Sequence, residues 1–220
     1  MYVDIFNDAT SRRIHCGFIL IALLLLSACS SSLLMQKTPP VSNYLLEWND
    51  SQAASVTAYN AQAPGIRLSS ISAAAGFDGS QIIYIRTAHQ LEHYRYHRWV
   101  EAPPRMLEPL LMRTLEGSGL FSAVLGSDSA VRADLQLDAE LLHLQQVFSD
   151  DGSEVQLALS VNLVNVVKAR LIASQRFSII EPVTVPTPYG SVQAANRATA
   201  RLLVALQDFL VHQPPFAVAD

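Results

Sequence analysis

Cysteine and lysine are both scarce in this 220-residue sequence. The two cysteines, Cys16 and Cys29, lie near the N-terminus, so the rest of the chain can form neither a disulfide nor a Cys-based metal site. Lysine occurs at Lys37 and Lys168, and the net charge is −4. Because a nucleic-acid footprint requires clustered Lys and Arg, the composition argues against a nucleic acid as the main partner.

Motifs of catalysis and cofactor binding are missing as well. The sequence has no G-x-S-x-G, P-loop, H-E-x-x-H or Rossmann glycine pattern. Residues 150–152 lack the ligand spacing of an EF-hand and are better explained as a hairpin turn. His89, His93 and His97 would align as metal ligands on a helix, but helix signals before Pro103 are weak. We therefore expect no enzyme activity, no cofactor and no metal; a tethered hydrolase or metal receptor is the less favoured alternative.

Long hydrophobic runs are limited to one N-terminal stretch. Arg12 and Arg13 precede the run from Cys16 to Leu26, which is shorter than the roughly 20 apolar residues of a transmembrane helix. A basic flank, a short apolar run and small residues after it are typical of an export signal. The sequence that follows, Leu-Ser-Ala-Cys at residues 26–29, resembles a bacterial lipobox and predicts a lipid on Cys29. Ordinary signal cleavage and a retained anchor are the alternatives.

The rest of the chain has the apolar content and length of one domain. We predict a signal peptide at residues 1–28, the lipidated Cys29 with a flexible linker at residues 29–43, a domain at residues 44–213 and a tail at residues 214–220. The linker is rich in Ser and Pro and has no hydrophobic period. Ser30 resembles the outer-membrane sorting pattern of bacterial lipoproteins.

Alternating apolar and polar residues predict a three-stranded meander in the second half. Residues 131–141 alternate, the apolar positions change parity after Leu141, and the alternation returns at residues 155–163. The parity change predicts a β-bulge, and the polar residues 149–154 predict a hairpin turn. The third strand is expected at Arg170–Ile180.

Helical spacing of apolar residues predicts two helices around this meander. The positions are Leu107, Leu110, Leu111 and Leu115 in the first helix and Val192, Ala195, Ala198, Leu202, Leu206 and Phe209 in the second. The first follows Pro103 and is either kinked at Pro109 or begins near Glu108; the second runs from about Ser191 to before Pro214. Three earlier strands are predicted by β-branched and aromatic runs, at Asn43–Trp48, Pro64–Ile71 and Gln81–Arg86. This order predicts an α+β fold, an antiparallel β-sheet with two α-helices packed on one face.

The segment at residues 89–99 is the candidate binding strip. It is rich in His, Tyr, Arg and Trp, and the last three types are enriched at protein interfaces. Tyr94, Arg98 and Trp99 are therefore candidate partner-binding residues. The alternative, that Tyr and Trp pack in the core, is the favoured one.

Together, these features resemble the ABC-type transport auxiliary lipoprotein family over nearly the whole mature chain. The resemblance rests on the lipobox and on these residues in order: Tyr84 and Arg86; Tyr94, Arg98, Trp99, Pro103 and Pro104; and a strand led by Asp134 that ends in Phe148.

The resemblance implies a non-enzymatic, membrane-anchored periplasmic lipoprotein on the outer membrane. Its partners would be an ABC permease and ATPase, reached through a periplasmic protein of the mammalian-cell-entry type, in a system that moves phospholipid between membranes. A homo-oligomer is compatible with this role. The alternative is an outer-membrane assembly lipoprotein that binds a β-barrel, as in lipopolysaccharide assembly.

Overall fold

The computed structural model describes residues 39–47 and 61–214. The predicted signal peptide, Cys29, most of the linker, Trp48 and nearly all of the C-terminal tail lie outside the described residues. The chain divides between Pro39 and Pro40, and the second unit contains every element described below.

The described strands form one sheet. Their bounds are β1 Ser42–Tyr44, β2 Gly65–Leu68, β3 Ser72–Ala73, β4 Gln81–Ile85, β5 Glu92–Trp99, β6 Ala123–Leu125, β7 Leu135–Ser149, β8 Gly152–Asn165 and β9 Arg170–Pro182. The long ladders β7–β8 and β8–β9 are antiparallel, which confirms the predicted meander. Ser149 pairs with Gly152 at the predicted turn, and Gly152 has a φ of 141° that favours glycine.

The first half of the chain joins the sheet along β7. On one edge β7 pairs with β8; on the other it pairs in parallel with β2, β3 and β4, in that order along its length. Strand β6 adds to β2, β5 adds antiparallel to β4, and β1 adds to β5. These parallel pairs are short, so most of the pairing in the sheet is antiparallel.

A β-bulge in β7 explains the change of parity in the sequence. Leu141 pairs with Leu159, but His143 pairs with Ala158, so Leu142 is the extra residue. Before the bulge, Leu141 is buried on the side of the helices; after it, Leu144 and Gln146 occupy that side. The bulge predicted from the sequence is confirmed. The strand begins at Leu135 rather than at Val131, which is 62% exposed.

Helix α1 spans Pro103–Gly117 and helix α2 spans Pro188–Val211. Helix α1 begins with two prolines, which fit the first turn because its N–H groups need no intrahelical partner. It continues through Pro109, so the prediction of a start near Glu108 is wrong. Pro109 and Arg105 are both exposed, and water can therefore satisfy the carbonyl that Pro109 leaves without a donor. Thr187 caps α2 by accepting a hydrogen bond from the Gly190 N–H at 3.0 Å.

Both helices pack on the same face of the sheet. Helix α2 lies on β8 and β9, while α1 contacts β6, β7 and α2. The apolar helix positions predicted from the sequence are buried, apart from the half-buried Phe209, and Leu107, Leu111 and Leu202 have no exposed surface. They join the inward side chains of β7 and β8 in one hydrophobic cluster. The α+β class with two helices on one face is confirmed. In the described part of the chain, no helix combines the length and hydrophobicity needed to cross a membrane.

Candidate partner-binding surface

Six aromatic side chains form a continuous row across the sheet near the N-terminus of α2. We call this set the aromatic row. Its members, in spatial order, are Phe148, Tyr84, Tyr94, His97, Tyr44 and Tyr189. They come from β7, β4, β5, β1 and α2, so residues far apart in sequence are brought together by the strand order.

The first half of the row contains Phe148, Tyr84 and Tyr94. The Tyr84 ring centroid lies 5.8 Å from that of Phe148, in an edge-to-face arrangement, and 4.7 Å from that of Tyr94. These separations are in the range at which aromatic pairs attract each other. All three side chains are partly buried, so their rings pack against the domain and still reach solvent.

The second half of the row leads from Tyr94 to α2. His97 lies 6.1 Å from Tyr94 and is stacked at 5.9 Å on Tyr44, with an interplanar angle of 15°. The Tyr44 hydroxyl is also within hydrogen-bond distance of His97 Nδ1, at 3.0 Å. Tyr189, which is 57% exposed, completes the row with its centroid 6.1 Å from that of Tyr44.

An irregularity in β5 places Tyr94 and His97 next to each other. Ile83 pairs with His93, but Gln81, two residues earlier, pairs with Arg98, so β5 has extra residues between these two pairs. In a regular strand Tyr94 and His97 would point to opposite faces, because they are three residues apart. The sequence pattern gave no signal for this bulge.

The buried side-chain amide of Gln146 is hydrogen-bonded to the aromatic row. Gln146 is 1% exposed; its Oε1 accepts a hydrogen bond from the Tyr94 hydroxyl at 2.7 Å, and its Nε2 donates one to Ser153 Oγ at 2.8 Å. Burial raises the pKa of Tyr94 to about 12, so this hydroxyl stays protonated and remains a donor at neutral pH. The network fixes the orientation of the Tyr94 ring.

An ion pair flanks the row at Tyr84. The Arg86 guanidinium lies 5.3 Å from the Tyr84 ring centroid, and its Nε donates to Glu92 Oε1 at 2.9 Å. The hydrogen bond from Arg86 lowers the pKa of Glu92, and the same contact raises the pKa of Arg86. Because the Arg86 side chain is 60% exposed, this pair adds little to stability. It presents charge beside the aromatic rings.

The three predicted partner-binding residues lie in different environments. Tyr94 belongs to the row, and Arg98 is exposed, with its Nε donating to Asn43 Oδ1 at 3.0 Å. Trp99 is 2% exposed and packs in the core, so its ring is not available to a partner in the folded domain. Whether Tyr94 and Arg98 bind a partner stays a prediction. Apart from Tyr94, the residues of the aromatic row were not identified as a binding site from the sequence. Cys29 lies outside the described residues.

The histidines of the candidate strip do not gather. The segment is a strand, and His89 lies in the preceding turn with a φ of 67°. His93 is exposed, whereas His97 contacts Tyr44. Across residues 39–47 and 61–214, no group of three or more His, Cys, Asp or Glu side chains could hold a metal ion.

A groove of about 420 Å³ continues from the row along the first turns of α2. Tyr44 and Tyr189 line one end, and Gln193, Asn196 and Arg197 line its helix side. Asn196 joins the β1 segment to the helix, because its Oδ1 accepts from the Glu47 N–H at 2.7 Å. The groove has the size of a ligand pocket and a mixed polar and apolar lining.

Comparison with known proteins gave matches to one family and to solved structures. The family model described as ABC-type transport auxiliary lipoprotein component matches residues 44–206. A crystal structure of a Xanthomonas campestris protein of family DUF330 is 20% identical, with a TM-score of 0.65, over 75% of this chain and 92% of that chain. The crystal structure of an uncharacterized protein is 13% identical, with a TM-score of 0.62, over 78% and 99% of the two chains. A search of curated proteins found no match. At these identities the structural matches show the fold alone.

Proposed function

This chain belongs to the ABC-type transport auxiliary lipoprotein component family, and from that premise we propose that it is a non-enzymatic, lipid-anchored adaptor in an ABC-type system that transports phospholipid between membranes. Its partner is a periplasmic protein of the mammalian-cell-entry type, which links it to the permease and the ATPase. The lipid on Cys29 holds it on the periplasmic face of the outer membrane.

The family match carries this proposal, because it covers nearly the whole described domain. A feature of the structure supports it. Three residues on which the sequence resemblance rests, Tyr84, Tyr94 and Phe148, come from separate strands and meet in the aromatic row. A fourth, Arg86, lies against the Tyr84 ring.

The chemistry of the row suits protein binding. Tyrosine and arginine are enriched among residues that contribute most to binding energy, because they combine a large apolar area with hydrogen-bonding groups. The row is also held rigid by the Gln146 network and by stacking on His97, so little side-chain entropy would be lost on binding. The proposal therefore places the partner against the aromatic row.

The experiment is site-specific crosslinking in cells that contain the complete transport system. A photoreactive amino acid at Tyr84 or Tyr189 should give a product that contains the mammalian-cell-entry-type protein, identified by mass spectrometry. The same amino acid at Asp138, on the sheet face away from the helices, should give no such product. A β-barrel protein in the Tyr84 product would refute the proposal.

Binding of the purified partner can then be measured with alanine variants. His97→Ala removes a ring from the row. Tyr96→Ala removes the neighbouring ring on β5, which lies 5.3 Å from the Arg95 guanidinium and makes no ring contact with the row among the described residues. We expect His97→Ala to weaken binding by about tenfold and Tyr96→Ala to leave it unchanged. Equal effects of the two variants would show that the row is not the binding surface.

A further inference from the structure

The outer edge of β9 is long, and no described strand lies beside it. Strand β9 spans Arg170–Pro182, and in the described ranges it pairs with β8 alone. A free edge of this length presents a row of backbone hydrogen-bonding groups, which natural proteins usually block.

One end of this edge is blocked. The Val183 N–H bonds to the Ser153 carbonyl, which sets the alternation of the strand, so the backbone groups of Ile180 and Pro182 point outward. Arg201 donates to the Ile180 carbonyl at 2.9 Å, and Arg197 donates to the Pro182 carbonyl at 2.8 Å. Pro182 has no N–H to offer.

The remainder of the edge is open. By the same alternation, Ser174, Arg176 and Ser178 direct their backbone groups outward, and their N–H groups have no partner in the described structure. All three residues are exposed. The Arg176 carbonyl accepts from the adjacent Gln175 side chain at 2.9 Å, which an incoming strand could displace. This segment is therefore available for strand addition.

The open edge is also cationic. Between Glu154 and Glu181 the sequence contains no acidic residue, whereas Lys168, Arg170 and Arg176 are all present and exposed. The Glu181 carboxylate is instead paired with Arg197 at 2.7 Å and with Arg201 at 3.0 Å. Burial alone would raise the pKa of Glu181, but the hydrogen bonds from these two residues outweigh burial and lower it. From Arg170 to Ile180, β9 therefore carries two cations and no carboxylate of its own.

The side chains of β9 determine which residue types would suit an added strand. On the face away from the helices, Arg176 lies between Leu171 and Ile180, which are 54% and 51% exposed. Opposite charges and apolar pairs across neighbouring strands stabilise a sheet, and like charges destabilise it. The complementary strand has acidic residues between two apolar ones on that face.

A second copy of the chain fits this edge poorly. Antiparallel pairing of β9 with another β9 would bring the Arg residues of the two copies close together. The other edge strands of the described sheet, β1, β3 and β6, have two or three residues each and cannot match the open segment.

We propose that the open edge of β9 binds an extended acidic segment of a partner protein by strand addition, with main-chain hydrogen bonds at Ser174, Arg176 and Ser178. Strand β8 lies between β9 and β7, and β7 is the first strand from this edge that contributes a residue to the aromatic row. It is an interaction additional to the proposed function and does not depend on it.

The test uses the full-length lipidated protein in detergent and a fluorescent peptide of sequence TVTETETVT. The control peptide has Lys in place of Glu. Binding is measured by fluorescence anisotropy, and hydrogen exchange reports protection of the β9 amides. We expect the acidic peptide to bind at least about tenfold more tightly than the lysine peptide, with protection at Ser174, Arg176 and Ser178.

Three variants identify the surface. Ser178→Pro removes one outward N–H, as Pro182 does naturally, and should abolish binding. Arg176→Glu should weaken binding by about tenfold. Arg105→Glu, an equal change of charge at an exposed position of α1, should have no effect. All four proteins are first checked for a native circular dichroism spectrum. If Ser178→Pro fails the check, Ser174→Pro takes its place.

Several results would contradict the proposal of strand addition at β9. The proposal is wrong if neither peptide binds, if both bind equally, or if binding leaves β9 amides unprotected. A fall in the oligomeric mass of the protein on Ser178→Pro would show that a second copy fills the edge. If the photoreactive amino acid at Tyr84 or Tyr189 gives no product with the mammalian-cell-entry-type protein while the acidic peptide still binds to β9, the proposed function is refuted and this inference stands.

Discussion

The hydrogen bond between Tyr94 and Gln146 can be tested by a double-mutant cycle. Tyr94→Phe keeps the ring and removes the hydroxyl, so Gln146 Oε1, in a side chain 1% exposed, loses its donor. A buried polar atom without a partner costs about 1–3 kcal/mol. We expect Tyr94→Phe to lower the free energy of unfolding by about 2 kcal/mol, which corresponds to a fall in Tm of about 6 °C for a domain of this size.

The partner substitution should cost less than this. Gln146→Leu removes both buried polar groups at once, while Tyr94 and Ser153 are only partly buried and can bond to water. We expect a loss of about 1 kcal/mol or less. In the double variant, Gln146 Oε1 is absent, so removal of the Tyr94 hydroxyl leaves no buried atom unsatisfied. The double variant should therefore lose about 2 kcal/mol less free energy of unfolding than the sum of the two single variants.

Urea unfolding followed by fluorescence and circular dichroism measures these values. Trp99 is 2% exposed and reports loss of the core. Tyr84→Phe is the matched control, because its hydroxyl donates to the Glu92 carboxylate at 3.3 Å near the surface, and its removal should cost about 0.5 kcal/mol or less. Additive effects in the cycle, or equal losses for Tyr94→Phe and Tyr84→Phe, would refute the reasoning.

Three further predictions concern other parts of the chain. Burial and the nearby charge of Arg176 lower the pKa of His143, so the folded state resists protonation; stability should fall as pH drops below the unfolded pKa of about 6.5, and Arg176→Gln should raise the pKa of His143 in an NMR titration. Leu202→Ala should cost about 2–5 kcal/mol in urea unfolding because Leu202 has no exposed surface, whereas Val204→Ala, 44% exposed on the same helix, should cost under about 1 kcal/mol. Mass spectrometry of the mature N-terminus should show a lipid on Cys29, and an unmodified thiol there would contradict the lipidation of Cys29.

Much of the fold was predictable from the sequence because its long elements have clear hydrophobic periods. The alternation at residues 155–163 belongs to a strand with one face on the core, and the parity change after Leu141 marks the bulge. The helical face of Leu107, Leu111 and their neighbours is buried as expected. These signals depend on the local period alone.

The candidate site was less predictable because it depends on the pairing of distant strands. Strand β5 at Glu92–Trp99 has a bulge that obscures its alternation, and its histidines have helical spacing. The contact of Tyr44 with His97 depends on the parallel pairing of β1 with β5, which no turn signal indicates. Residue types pointed to Tyr94, but could not show that Trp99 is buried.

The position of β7 also fixes when the domain can fold. Strands β2, β3 and β4 all lie on one edge of β7, yet they precede it in the sequence by dozens of residues. A chain that emerges N-terminus first must therefore leave the β7-facing edges of these three strands unpaired until β7 arrives, and closing these long loops slows folding. Fragments that end before Leu135 should fail to fold and should be substrates for chaperones and proteases.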